Sequence, residues 1–171
     1  MTAVPTLEEL FAACQRSAVH LEMRDGYMRD DPRFIAWQAG TLNLSALDEA
    51  ERPWMALMTE TTSRGVRIRR ARIVSEPISD YVRYEYDLTP GNVASGELVR
   101  WLPRRQSTDL ALPGNDFWLF DDETLLLNHF DGDGSFLDHE LITDPAVSKL
   151  CSTAFESVWN RAIPHEEYRP A

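Results

Sequence analysis

Lysine and cysteine are nearly absent from this 171-residue chain. Lys149 is the single lysine beside sixteen arginines, and Cys14 and Cys151 are the only cysteines. Two isolated cysteines exclude a disulfide-rich scaffold and a zinc finger. Both lie at apolar positions of predicted helices, so we interpret them as buried free thiols. We expect no metal and no cofactor.

Long apolar runs and positive net charge are also missing. The longest apolar stretches are only a few residues, and residues 1–5 lack the positive start and apolar run of a secretory signal. The net charge of −11 would repel phosphate backbones and anionic lipid. We therefore expect a cytoplasmic protein with no direct nucleic-acid binding and no membrane contact.

The hydrophobic patterns predict one α/β domain over residues 1–171. Residues 1–65 read as a helical N-terminal cap, with one helix from Thr6 to Leu21 and another beginning near Pro53. Residues 66–163 follow the order strand, helix, strand, hairpin, helix, with strands predicted at 66–74, 98–102, 117–120, 124–130 and 135–142. We expect a mixed sheet of about five strands, with helices packed on it, built around the strand at 117–120.

Complete catalytic and metal-binding motifs are absent as well. The chain has no Gly-x-Ser-x-Gly elbow and no phosphate loop ending in Gly-Lys-Ser/Thr. The turn at 131–134 begins like a calcium loop, but Phe136 and Ile142 occupy the positions of its glycine and bidentate carboxylate. With a two-residue turn, His129 would face Phe136, and His139 would lie on the opposite side of the sheet.

Arginines supply the one concentration of positive charge. They occupy or flank two neighbouring predicted strands: Arg64, Arg67, Arg69, Arg70 and Arg72, then Arg100, Arg104 and Arg105. Guanidinium groups bind carboxylate or phosphate bidentately, so the two strands could form an anion site. The alternative is a solvated strand face paired with Asp and Glu. The candidate ligand-binding residues are Arg72, Tyr81, Arg83, Arg100 and Trp101.

Three carboxylates are the candidates for catalysis. Asp116 and Asp121 bracket the central strand, and Glu85 lies on the preceding helix. Paired acids can act as general acid and base. Acidic residues also bracket strands simply as turn formers, and the Asp121-Asp122 pair fits that description.

Several segments resemble an uncharacterised family of small acidic actinobacterial proteins. They are residues 21–24, 76–81, 96–97, 100–104 and 116–122, and the resemblance covers nearly the whole chain. Members of that family are often encoded beside, or fused to, helix-turn-helix regulators. The resemblance therefore implies a regulatory context and a helix-turn-helix regulator or other protein as partner.

The element order from Arg67 to the last helix is similar to half of a phospholipase D-like domain. Degenerate versions of that fold serve as ligand-sensing domains of transcription regulators. Catalytic members have a His, a Lys two residues on and an Asp five further along. With Asp121 as that Asp, the other two positions fall on Asp116 and Gly114. The resemblance implies that no phosphohistidine intermediate forms here.

The leading hypothesis is a non-catalytic ligand- or partner-binding module in an actinobacterial regulatory system. A small anionic ligand would meet Arg72, Arg100 and Tyr81. One alternative is a small hydrolase or secondary-metabolism tailoring enzyme that uses Asp, Glu, Tyr and Arg in a cleft. Another is a toxin–antitoxin component whose negative charge masks a basic partner surface.

Overall fold

The computed structural model describes residues 4–171, except for the side chains of residues 44–50. The helices are α1 (Leu7–Ala13), α2 (Pro32–Gln38), α3 (Leu44–Ser63), α4 (Asp80–Ala94) and α5 (Pro145–Arg161), with a 3₁₀ turn at Arg104–Gln106. The strands are β1 (Ser17–Glu22), β2 (Arg67–Val74), β3 (Leu98–Pro103), β4 (Asp116–Phe120), β5 (Thr124–Phe130), β6 (Phe136–Ile142) and β7 (Ile163–Pro164).

These strands form one mixed sheet in the order β6-β5-β4-β1-β2-β3-β7. Strands β1, β2 and β3 are parallel, and the other neighbours are antiparallel. Helix α5 packs on one face, where its Phe155 joins Phe117 in a buried cluster. Helices α1, α3 and α4 cover the other face. The predicted mixed α/β class is confirmed, with seven strands instead of five.

Strand β4 lies in the interior of this sheet, beside the middle strand β1. It pairs with β1 on one side and β5 on the other, and each of its five residues is buried. Phe117 belongs to the core cluster under α5, and Trp118 to the cluster under α1 and α3. A strand buried on both faces reads as a continuous apolar run, which is why the sequence located it.

Side chains cap the starts of helices α1 and α5. Thr6 and Glu9 form a capping box, in which each side chain accepts the backbone N–H of the other residue. Asp144 caps α5, and Pro145 occupies its first turn. The prediction that Pro53 begins a helix is wrong, because α3 starts at Leu44 and continues through this proline.

The helical cap predicted for residues 1–65 is also wrong. Helix α1 ends at Ala13, and Ser17–Glu22 forms β1, near the middle of the sheet. Apolar and polar residues alternate in β1 over only four positions, Val19 to Glu22, which is too short a signal to outweigh the apolar spacing that continues from α1. The spacing of Leu10, Cys14 and Leu21 therefore imitates a helix. The boundary between cap and core at residue 65 does not match the fold.

The hairpin of β5 and β6 has a different register from the predicted one. His129 faces Asp138 and His139 faces Asn128, because the connection is longer than two residues and Phe130 pairs with Phe136. The two histidines still project to opposite faces. Within residues 4–171, leaving aside the side chains of 44–50, no three His, Cys, Asp or Glu side chains are arranged to hold a metal ion.

No helix in the described part of the chain is both long and apolar enough to cross a membrane.

Candidate functional site

A cleft of about 550 Å³ opens on the sheet face that carries α3 and α4. Its floor includes His20 from β1, Arg70 and Arg72 from β2, and Trp118 from β4. His20 pairs in register with both Arg70 and Trp118, and side chains two apart on a strand share a face. This register therefore gathers the four side chains on one surface. Helix α4 contributes a wall with Tyr81, Tyr84 and Glu85.

Under the cleft, two arginines are enclosed by carboxylates. Arg70 donates to Glu22 Oε1 at 2.6 Å and to Glu97 Oε2 at 2.8 Å. Arg72 donates to the second oxygen of Glu22 and to Thr89 Oγ1 at 2.9 Å. All five residues are buried. Buried guanidinium groups with these partners have little capacity left for an external anion.

Glu22 links the two arginines and is ionised. Burial alone would raise the pKa of its carboxyl, but the Arg72 and Arg70 guanidinium groups hold that pKa well below the usual range. Each oxygen of Glu22 accepts a hydrogen bond from a different arginine. Charge-assisted bonds of this kind are the strongest hydrogen bonds in proteins, so Glu22 fixes the position of both guanidinium groups.

Two other carboxyls are displaced toward neutrality. Burial raises the pKa of Glu85 to about 7, although Arg72 Nη2 lies 3.5 Å from its Oε1. Burial likewise raises the pKa of Asp116 to about 6. Asp116 accepts hydrogen bonds from the Tyr27 hydroxyl and, at 2.9 Å, from the Met23 N–H. Asp116 is thus enclosed by protein groups, whereas Glu85 faces the cleft.

His20 is the unusual polar group of the floor. It is only 7% exposed, and neither ring nitrogen has a hydrogen-bond partner in the described part of the chain. Burial lowers its pKa to about 3, so the imidazole is neutral. The ring stacks on Trp118 at 4.2 Å, and Nδ1 lies 3.5 Å from Glu22 Oε1, beyond a good hydrogen bond. Buried polar atoms without partners at a cleft are typical of ligand contacts.

The predicted ligand-binding residues divide between the two faces of the sheet. Arg72 and Tyr81 line the cleft. Trp101 lies beneath Arg72, whose guanidinium carbon is 5.0 Å from the ring centre. Arg100 projects to the other face, donates to the Trp159 carbonyl at 2.9 Å and covers that ring. Arg100 and Arg72 therefore cannot meet one ligand, which corrects the expected anion site.

Arg83 does not line the cleft, although it shares helix α4 with Tyr81 and Glu85. Residues four apart on a helix lie on one face, so Tyr81 and Glu85 face the cleft together while Arg83 projects elsewhere. Of the candidate catalytic residues, Glu85 lines the cleft and Asp116 lies buried near it.

Asp121 lies away from the cleft, and its carboxylate holds two segments of the backbone together. Its carboxylate accepts backbone N–H groups of Gln15 at 2.8 Å, Arg16 at 2.7 Å and Ser17 at 3.0 Å. Burial alone would raise the pKa of Asp121, but these donors hold it below the usual range. The side chain thereby joins the end of β4 to the start of β1.

Asp121→Asn should lower the free energy of unfolding by about 1–3 kcal/mol, because one charged acceptor serves three backbone donors. Asp122→Asn is the matched control, since Asp121 and Asp122 both have positive φ and, within the described residues, the Asp122 side chain accepts only the Ser152 hydroxyl at 2.9 Å. Urea unfolding at pH 7 measures both variants. Equal losses of unfolding free energy in the two variants would show that the three backbone hydrogen bonds of Asp121 contribute no more than the single hydrogen bond of Asp122.

The sequence interpretation missed His20, Glu22 and Glu97 as members of this site and counted Arg70 only among the arginines of the expected anion site. His20 lies in the segment from Thr6 to Leu21 that was predicted to be a helix. A signal was present, since His20 and Glu22 are two residues apart, as are Arg70 and Arg72. This pattern becomes informative only once residues 17–22 are recognised as a strand beside β2.

The fold has neighbours of known structure. Nuc of Salmonella typhimurium, a phospholipase D family member, superimposes with a TM-score of 0.53 over 95% of this chain and 88% of that protein, at 10% identity. NucT of Helicobacter pylori gives a TM-score of 0.48 over 92% and 87% of the two chains, at 9% identity. The first of these supports the predicted phospholipase D-like fold, and at this identity it supports the fold alone.

No curated protein matches the chain. One family model, described as "Domain of unknown function (DUF6879)", matches residues 5–170. The chain therefore belongs to this family.

Proposed function

We propose that the chain is a non-catalytic module that binds a small ligand, within an actinobacterial regulatory system that includes a helix-turn-helix partner. The observation that carries the ligand-binding part is His20, buried at the floor of the cleft with both ring nitrogens unpaired in the described residues. A volume of about 550 Å³ is in the usual range of small-molecule sites. The regulatory context rests on the sequence resemblance alone.

No activated nucleophile lies at the cleft among the described residues, which supports binding over catalysis. The positions that carry His and Lys in catalytic phospholipase D-like domains fall on Gly114 and Asp116, and Asp116 is buried and bonded to Tyr27. His20 is a neutral imidazole without a hydrogen-bonded general base among the described residues. A covalent mechanism needs an activated nucleophile in reach of the substrate. We therefore expect no phosphodiesterase activity from the purified protein.

Occluding the cleft tests the binding function. Leu88 lines the cleft on α4, so Leu88→Trp should fill part of it. Leu150→Trp is the control, because Leu150 is 55% exposed on α5, across the sheet. Native mass spectrometry of protein purified from its host should show a bound small molecule on the wild type and on Leu150→Trp, but not on Leu88→Trp. Equal occupancy, or an empty wild-type protein, would contradict the proposal.

An acid–base enzyme is the second candidate, favoured by the raised pKa values of Glu85, about 7, and Asp116, about 6. Carboxyls that titrate near neutral pH suit general acid–base work. This candidate predicts hydrolysis of a test phosphodiester or ester by the wild type, reduced at least about 100-fold in Glu85→Gln. The binding module predicts no hydrolysis above that of a heat-denatured sample.

A further inference from the structure

The cleft contains more negative than positive groups. Four carboxyls line it, Asp31, Glu51, Glu85 and Asp87, and Glu22 and Glu97 lie against its floor arginines. Its guanidinium groups are those of Arg33, Arg70 and Arg72. Each of the three contacts at least two of these carboxyls. An anion would have to displace a carboxylate from an arginine, whereas a cation would offset the excess charge.

Three polar groups around the cleft have unused acceptors. Glu85 is about 13% exposed at its side chain, and its one charged contact among the described residues is Arg72 at 3.5 Å. Tyr81 lies one turn earlier on the same face of α4, and its hydroxyl makes no hydrogen bond within the described residues. His20 adds a neutral ring with unpaired nitrogens. A primary ammonium has three donors and no acceptor, so this set of acceptors complements it.

Aromatic rings form much of the remaining surface. Trp54, Tyr84, Trp118, Phe130 and Phe136 line the cleft. The π face of an aromatic ring attracts cations. The cleft already uses this property, because the Arg70 guanidinium carbon lies 5.3 Å from the Trp118 ring centre and 5.9 Å from that of Trp54. A ligand that carries its positive charge on a flat apolar group could therefore stack on these rings.

From this arrangement we infer that the ligand is a small organic cation, a protonated amine on a flat apolar body, with its ammonium group held by Glu85, Tyr81 and His20. The inference rests on the proposed ligand-binding function and adds the chemical class of the ligand. It replaces the anion that was expected from the arginines of the sequence.

Matched aromatic fragments test the charge preference. One set is tryptamine, indole-3-ethanol and indole-3-propionate, and a second set carries the same three groups on a phenyl ring. Binding is followed by ¹H–¹⁵N NMR at pH 7.5 through the indole N–H of Trp54, which donates to Glu97 at 2.9 Å beside the cleft. The indole N–H of Trp159, a buried residue of α5 on the other face of the sheet, is the internal control.

The amines should shift the Trp54 signal and bind at least about tenfold more tightly than the alcohols, with the carboxylates weakest. Glu85→Gln should remove this preference, so that the amines bind no more tightly than the alcohols. If alcohols or carboxylates shift Trp54 as tightly as the amines, the cation inference fails while the binding function stands. If no compound shifts Trp54, both fail.

Discussion

Glu22→Gln should destabilise the protein by about 3–5 kcal/mol, the usual cost of removing one partner from a buried ion pair. Glu22 is 8% exposed and accepts from Arg70 and Arg72, so the substitution leaves two buried cations with one fewer carboxylate. Glutamine keeps the shape of the side chain, so little of the loss comes from packing. Urea unfolding at pH 7, monitored by tryptophan fluorescence, measures the difference.

A surface pair provides the control for Glu22. Glu123 lies 3.3 Å from Arg16, and both side chains are more than half exposed. Glu123→Gln should therefore change the free energy of unfolding by less than about 1 kcal/mol. A loss below about 1 kcal/mol in Glu22→Gln as well would show that the buried network adds nothing beyond a surface pair.

The Glu22 effect should also depend on pH in a defined direction. Because the arginines depress its pKa in the folded protein, its contribution is complete above the unfolded pKa of about 4.3. That contribution is lost as the pH falls below this value toward the folded pKa. The difference between wild type and Glu22→Gln should thus shrink between pH 5 and pH 2.5. If the stability difference between wild type and Glu22→Gln did not change with pH, its cause would be lost packing and not the lost charge.

This network also explains how an open cleft persists beside a sheet core. An apolar floor would favour collapse of α4 onto the sheet. The floor arginines and their carboxylate partners instead make all of their hydrogen bonds in one geometry, which keeps α4 at a fixed distance. Glu22 on β1 and Glu97 before β3 hold Arg70 from both sides, and Glu22 and Thr89 hold Arg72. The floor arginines on β2 are consequently held by residues of β1, of α4 and of the turn before β3, and a ligand would meet preorganised groups.

Local sequence was sufficient for much of this fold. Strand β4 is an apolar run between acidic turns, and α5 begins with an Asp-Pro cap, so both could be located from neighbouring residues. Strand β1 could not, because its apolar residues also fit a helical period. Pairing with β2 and β4 decides its conformation, and such pairing overrides local preference.

The site was less predictable than the fold for the same reason. Arg72 was among the predicted ligand-binding residues, and it lines the cleft. Its partner Glu22 is 50 residues away, and Glu97 is 27 residues from Arg70. These contacts depend on strand register, which a single sequence does not reveal. Without the partners, the arginines resembled an anion site, although carboxylates already occupy them.

Glu85→Gln should stabilise the protein at pH 8 by about 3 kcal/mol, since a shift of the pKa from 4.5 to about 7 corresponds to 1.36 kcal/mol per unit. Burial raises this pKa against the attraction of Arg72 and Arg70, and Glu22 and Asp116 add repulsion. The folded protein therefore binds the proton more tightly than the unfolded chain. The stability that this proton provides is complete below the unfolded pKa and is lost as the pH rises through 7.

The glutamine side chain imitates the protonated carboxyl, so Glu85→Gln and wild type should be about equally stable at pH 4, should diverge as the pH rises from 4.5 to about 7, and should differ by a constant amount above that. Glu60→Gln is the control, because Glu60 is 71% exposed on α3 and pairs only with Arg64 at 3.2 Å in the described residues. Glu60→Gln should change the free energy of unfolding by less than about 1 kcal/mol, the usual limit for an exposed ion pair. A Glu85→Gln variant less stable than wild type at pH 8 would mean that Glu85 chiefly serves as a partner of Arg72. Its carboxylate would then not be available to a bound ammonium group.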